Sequence, residues 1–225
     1  MIPRLGLDLE PGFQIGRVLP DLDLLDIAYG ATHGGIQSIL APLSAFGTGT
    51  PYSTELFMRP GLPVLIVKAE MDQMDQVLNL GAAPDRLLLV GDRGRSLLDL
   101  SRLGEIVQLT SGFSQEIAAL IEPDAASLKE LARARAHWAV FSTESLVRTG
   151  SLAEAQSEIA KLTSASVVAD KLNLRVALFG PTGRHLPSTF ASIPALEEVF
   201  PSPDLWNLAL RLGWERAVAE YRTLM

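Results

Sequence analysis

The stretch LNLRVALFGPTGRHLPSTFASIPALEEVFPSPDLWNLALRLGWERAVAEYRTLM, Leu172 to Met225, decides how this chain is read. Its first part, Leu174–Phe179, is a short run of branched and aromatic residues with the length and composition of a buried strand. Gly180-Pro181-Thr182-Gly183 then makes a turn. From Pro203 to Met225, the residues Trp206, Ala209, Leu210, Val218 and Tyr221 read as helix, with a break at Gly213. Just upstream, Leu152–Leu172 puts Ala155, Ile159, Leu162 and Val167 on one face of a long helix. Ser151, three residues before Glu154, has the spacing of a capping box at its start.

Working outward, the same alternation fills the chain. Strand-like runs fall at Leu5–Leu9, Gly35–Leu40, Pro63–Val67, Arg86–Val90, Glu105–Leu109, Glu116–Ile121 and His137–Phe141. Helix-like segments fall at Asp21–Tyr29, Asp72–Leu80 and Asp124–Arg135, the last with Asp124 as its N-cap. Alternating strand and helix implies an α/β protein with a parallel sheet and helices outside it. About eight strands suggests closure into a (β/α)8 TIM barrel, although an open doubly wound sheet gives a similar pattern. The Pro-rich spots at Pro60–Pro63 and Pro201–Pro203 are turn-sized, so residues 1–225 read as one domain.

Composition narrows the function classes. The net charge of -7 argues against a nucleic-acid surface, which needs clustered Lys and Arg. No basic amphipathic stretch suggests a membrane partner. Asp8 and Glu10 interrupt the N-terminus early, which does not read as a signal peptide or span. With no cysteine, disulfides, thiolate nucleophiles and thiolate metal sites are excluded, and a reducing cytoplasm fits. The histidines His33, His137 and His185 lack metal-ligand spacing, so no metal is expected.

Leu172–Met225 resembles the last part of the pyridoxine 5'-phosphate synthase family without gaps, through Ile193-Pro194, Glu198, Gly213 and Ala217-Val218-Ala219-Glu220. IEPDAASLKELARARAHWAVFSTE (Ile121–Glu144), LAEAQSEIAKL, LGLDLEP and PDRLLLVGDRGR are similar to family segments in the same order. The resemblance implies a (β/α)8 barrel, generally oligomeric, that needs no metal or organic cofactor. The family condenses an amino-ketone phosphate with 1-deoxyxylulose 5-phosphate and closes a pyridine ring.

Carried over residue by residue, that chemistry is missing. A family histidine falls near Ile39 and an arginine near Ala41. One family glutamate falls near Ile66, with Lys68 and Glu70 close by; another falls on Val140, with its histidine on Ser142. The histidine of the penultimate turn falls on Gly180, and the phosphate-cradling turn becomes Ser202-Pro203-Asp204. Ring closure needs side chains that titrate near working pH, which Ile39, Val140 and Gly180 do not. Pro203 offers no N–H to a phosphate, and Asp204 repels it.

Several polar groups remain as candidates. Asp8 and Glu10 stand where the family has Asn and Asp, at the end of the first strand; they read equally as site residues or as a barrel-end hydrogen-bonding pair. With Lys68 and Glu70 they form the candidate catalytic set. Thr143, Gly180, Gly183, Arg184 and His185 form the candidate ligand-binding set, around a loop suited to an anion, although His185 aligns with a family histidine outside the chemical set. Gly91–Arg95 reads as a phosphate contact or a surface turn, and Ser44–Thr54 as a loop over a pocket or a loose connection. The expected partners are a small anionic metabolite and further copies of the chain, the latter through Trp206, Trp214 and Tyr221 or through family habit. The leading function is a small-molecule-binding or assembly barrel without synthase activity; the alternatives are an enzyme with altered chemistry on a phosphorylated or carboxylated metabolite, and a residual pyridoxine 5'-phosphate synthase of vitamin B6 biosynthesis.

Overall fold

The computed structural model describes residues 2–16, 18–19, 21–47, 49–97, 99–183 and 186–225. Its strands are β1 (Arg4–Asp8), β2 (Ser38–Pro42), β3 (Val64–Glu70), β4 (Arg86–Val90), β5 (Glu116–Leu120), β6 (Trp138–Ser142), β7 (Arg175–Phe179) and β8 (Leu196–Phe200). Each pairs in parallel with the next, and β8 pairs with β1, closing a (β/α)8 TIM barrel. The helices are α1 (Glu10–Gly16), α2 (Leu24–Gly34), α3 (Thr54–Phe57), α4 (Met74–Leu78), α5 (Leu103–Thr110), α6 (Ala125–Arg133), α7 (Glu144–Val147), α8 (Leu152–Lys171), α9 (Asp204–Leu212) and α10 (Trp214–Leu224).

Two assignments made from sequence are corrected. Glu105–Leu109 is helix, not strand: Leu103, Ile106, Val107 and Thr110 are buried along one side of α5, the 3.6-residue period of a helix. The strand that completes the barrel is β8, whose sequence LEEVF carries two glutamates and so does not read as a buried strand. The second strand starts at Ser38 rather than Gly35, because Gly35 ends α2 in the left-handed conformation with its N–H on Thr32 O. Elsewhere the N-caps stand as read, except that Glu154 Oε2 accepts from the Gly150 amide and does not close a capping box on Ser151. Asp124 accepts from the Ala126 and Ser127 amides, and Ser151 from the Glu154 amide. Gly213 separates α9 from α10.

Strand residues of one parity face the helices. Leu7, Ile39, Val67, Leu89, Phe141 and Val199 belong to this outer core, which is why the strands are apolar runs rather than alternating ones. Residues of the other parity fill the barrel in layers contributed by alternate strands. The floor holds Ser38, Arg86, Trp138 and Glu198, with Arg86 bonded across the barrel to Glu198 and its guanidinium 3.7 Å from the Trp138 ring centre. Glu116 and Arg175 close the floor from below, bonded to each other. Above lie Ile66, Ala118 and Ala177, then Leu40, Leu88, Val140 and Phe200. Gly6 leaves room for the Phe200 ring: a Cβ on Gly6 would lie 2.1 Å from that ring. The barrel centre is therefore filled by side chains.

The aromatic residues read as interface candidates are used inside the chain. Trp206 and Trp214 stack edge to face at 4.6 Å, and Tyr221 is 2% exposed with its hydroxyl on Thr182 Oγ1. Among the described residues, no helix is long and apolar enough to cross a membrane.

Candidate functional site

At the C-terminal ends of the strands, where barrels carry their sites, the odd strands supply Asp8, Lys68, Leu120 and Phe179 to the top inward layer. The Lys68 ammonium pairs with the Glu10 carboxylate and lies 5.1 Å from the centre of the Phe179 ring. Asp8 is 5% exposed and its Oδ1 accepts from the Glu10 amide at 3.0 Å. Burial pushes the Asp8 carboxyl above its ordinary range. Lys68, the Glu10 amide and Ser202 oppose this, while the Glu10 charge adds to it. The Asp8 carbonyl accepts from Trp206 Nε1 at 2.7 Å, which ties β1 to α9.

Three of the four catalytic candidates thus meet, and Glu70 stands apart. Glu70 Oε1 accepts from the Arg93 amide at 3.1 Å, and its own amide donates to Gln73 Oε1. That arrangement pins the loop after β4, so Gly91–Arg95 is held by a carboxylate.

The ligand-binding candidates behave differently from one another. Thr143 is fully buried, with its amide and hydroxyl both directed at Phe179 O. Gly180 has φ +122, and a Cβ there would meet Thr143 Oγ1 at 2.9 Å, so only glycine fits at this crossing of β6 and β7. Gly183 has φ +61 and is exposed. Arg184 and His185 lie outside the described residues, as does Thr48 of the Ser44–Thr54 loop. The anion that the 180–183 loop holds is internal. One oxygen of Asp204, Oδ2, accepts from the Thr182 and Gly183 amides and from Thr182 Oγ1.

Beside this seat is a cleft of about 350 Å³, lined by Val147, Arg148, Phe179, Gly180, Pro181 and Pro203. Phe179 forms its wall on the side of Lys68. Sequence reasoning missed Phe179 as a site residue and read Asp204 only as a charge that repels phosphate. The signal for Phe179 was strand parity: it shares the inward face of β7 with Ala177 and Arg175.

The positions aligned with family acids and bases are now placed. Ile39 and Ala41 face the helices, so the inward residues of β2 are Leu40 and Pro42. Val140 lies in the closed apolar layer with Phe200, and Ile66 sits one layer below Lys68. Of the described histidines, His33 is on α2 and His137 precedes β6 at the floor, where its Nδ1 accepts from the Ile117 amide. Among the described residues, no group of His, Cys, Asp and Glu is arranged to hold a metal ion.

A family profile described as pyridoxal phosphate biosynthesis protein PdxJ matches residues 86–225, from β4 to the end of α10. The chain belongs to the PdxJ family. It is 31% identical over 156 residues to a pyridoxine 5'-phosphate synthase of Synechococcus sp. (strain JA-2-3B'a(2-13)), a match spanning 65% of each protein and so less than two thirds of that relative. Asp8, Glu10 and Lys68 lie before the part that matches the PdxJ profile. Solved structures share the fold. An HpcH/HpaI aldolase/citrate lyase family protein from Burkholderia cenocepacia J2315 superposes with a TM-score of 0.60 at 13% identity, covering 98% of this chain and 95% of that one. A thiamine phosphate pyrophosphorylase from Pyrococcus furiosus gives 0.60 at 11% identity, covering 99% and 95%.

Proposed function

We propose that this PdxJ-family barrel does not close the pyridine ring and instead binds a small molecule at its mouth. One observation carries the reading: Val140, on which a family glutamate falls, is sealed in an apolar layer with Leu40, Leu88 and Phe200. No proton can be taken or given there. Leu40, Pro42 and Gly180 are equally inert, and among the described residues Asp8, Glu10 and Lys68 at the mouth are engaged with one another. A positioned acid or base is worth about 10²–10⁴-fold in rate, so several losses remove measurable turnover. Self-association, a habit of the family, is part of the proposal, and light scattering tests it.

The test supplies purified protein with the amino-ketone phosphate and 1-deoxyxylulose 5-phosphate. The expected result is no pyridoxine 5'-phosphate above background. Growth of a pyridoxine auxotroph on this gene alone would overturn the reading.

The convergence of Asp8, Glu10 and Lys68 favours a second reading, altered chemistry on another metabolite. Turnover of a carboxylated compound that Lys68→Met abolishes, in a variant that still folds, would establish it over the first.

A further inference from the structure

The exits of β7 and β8 are where barrels of this type seat phosphate, on backbone N–H groups and the start of a following helix. Here the loop after β7 turns through Gly180 and Gly183, both with positive φ, and aims the Thr182 and Gly183 amides at one point. Asp204 begins α9, the nine-residue helix after β8, and its Oδ2 lies at that point. The Gly183 amide reaches it at 2.8 Å and the Thr182 hydroxyl at 2.9 Å. The Thr182 hydroxyl is fixed in turn by Tyr221, whose phenol burial keeps protonated far above the usual range. A carboxylate with three donors on one oxygen is already a bound anion.

We infer that Asp204 is a built-in occupant of the anion seat between β7 and β8, and that it sets the specificity of the mouth against phosphorylated ligands. A phosphate entering here meets a fixed negative charge and finds the donors taken. The adjoining cleft offers Arg148 as a cation, and Glu144 already pairs with it at 2.8 Å. The ligand class is therefore small molecules that bring no phosphate to this seat. The inference rests on reading the mouth as a binding site and narrows what that site admits.

The test uses inorganic phosphate against chloride at matched ionic strength, read by calorimetry and by thermal unfolding. Wild-type protein should show no saturable phosphate effect. Asp204→Ala should bind phosphate at least about tenfold more tightly than wild type. Asp204→Ser, which puts a neutral hydroxyl at the start of α9, replaces it if the alanine variant does not fold. Folded variants without a gain overturn the inference. So does wild-type protein whose Thr182 and Gly183 amide resonances move on phosphate titration, a result that needs no variant. Phosphate binding by wild type without pyridoxine 5'-phosphate formation would sink this inference alone. Formation of pyridoxine 5'-phosphate would sink the proposed function itself.

Discussion

Lys68 and Phe179 face each other across the barrel mouth, with the ammonium 5.1 Å from the ring centre. The ring shields one side of the charge, Glu10 neutralises another, and Asp8 of the same layer interacts with it electrostatically. Lys68 is 7% exposed, so its charge is held by these groups and not by water. Lys68→Met keeps the volume and removes the charge that most opposes the cost of burying Asp8. The expected loss is about 3–5 kcal/mol near neutral pH, as for one partner removed from a buried pair. Urea denaturation measures it. Adding Asp8→Asn should restore most of the loss, and a double variant no more stable than Lys68→Met would refute the coupling.

Asp8 itself supplies a pH test with a definite sign. Its folded carboxyl titrates above the ordinary value of 3.8, chiefly because of burial. Such a group favours the fold while protonated, and that contribution is lost as pH rises through its folded value. Asp8→Asn keeps an oxygen for the Glu10 amide and has no charge to bury. Its melting temperature relative to wild type should therefore climb as pH rises from about 4 to about 8. A relative stability that falls over that range would contradict the assignment.

The floor offers a stronger perturbation. Glu198 is completely buried, with Oε2 on Arg86 and Oε1 without a hydrogen-bond partner among the described residues. Arg86→Met strands that carboxylate among Trp138 and Ser38. The expected destabilisation is about 3–5 kcal/mol, and Arg86→Met with Glu198→Leu should recover much of it. Equal stability of the single and double variants would show that the pair is not coupled.

The floor also explains what the sequence concealed. A strand buried on both faces normally reads as apolar, and that rule finds β4, β6 and β7 from LLLV, WAVF and VALF. It fails at β8, because Glu198 faces the barrel interior and is neutralised by an arginine 112 residues away. It fails in the opposite sense at α5, whose apolar residues are dense enough to resemble a strand over five positions. The site was legible in part for the same reason. Asp8, Glu10 and Lys68 stand out as charges at strand ends, so their convergence was open to inference. Asp204 was legible as a charge that repels phosphate, but not as the partner of the Thr182 and Gly183 amides, because that contact depends on a loop more than twenty positions upstream folding back onto it.

Glu116 permits a test in which the sign runs the other way. Its carboxylate accepts from Arg86 Nε at 3.1 Å, from Trp138 Nε1 at 2.7 Å and from Arg175. Burial alone would raise its titration, but the bonds from Arg175 and Trp138 and the charge of Arg86 outweigh that and hold it below the ordinary 4.5. A lowered folded value means stability that is present above 4.5 and lost as pH falls through the folded value. Glu116→Gln retains the shape but turns an amide donor toward one arginine or the indole. The expected cost is about 1.5–3 kcal/mol near pH 7, the range for hydrogen bonds to charged groups. Denaturant unfolding at about pH 7, 5 and 3.5 should show the gap between variant and wild type narrowing at the lowest value. A gap that stays constant across the series would mean that the carboxylate's charge contributes nothing to the floor.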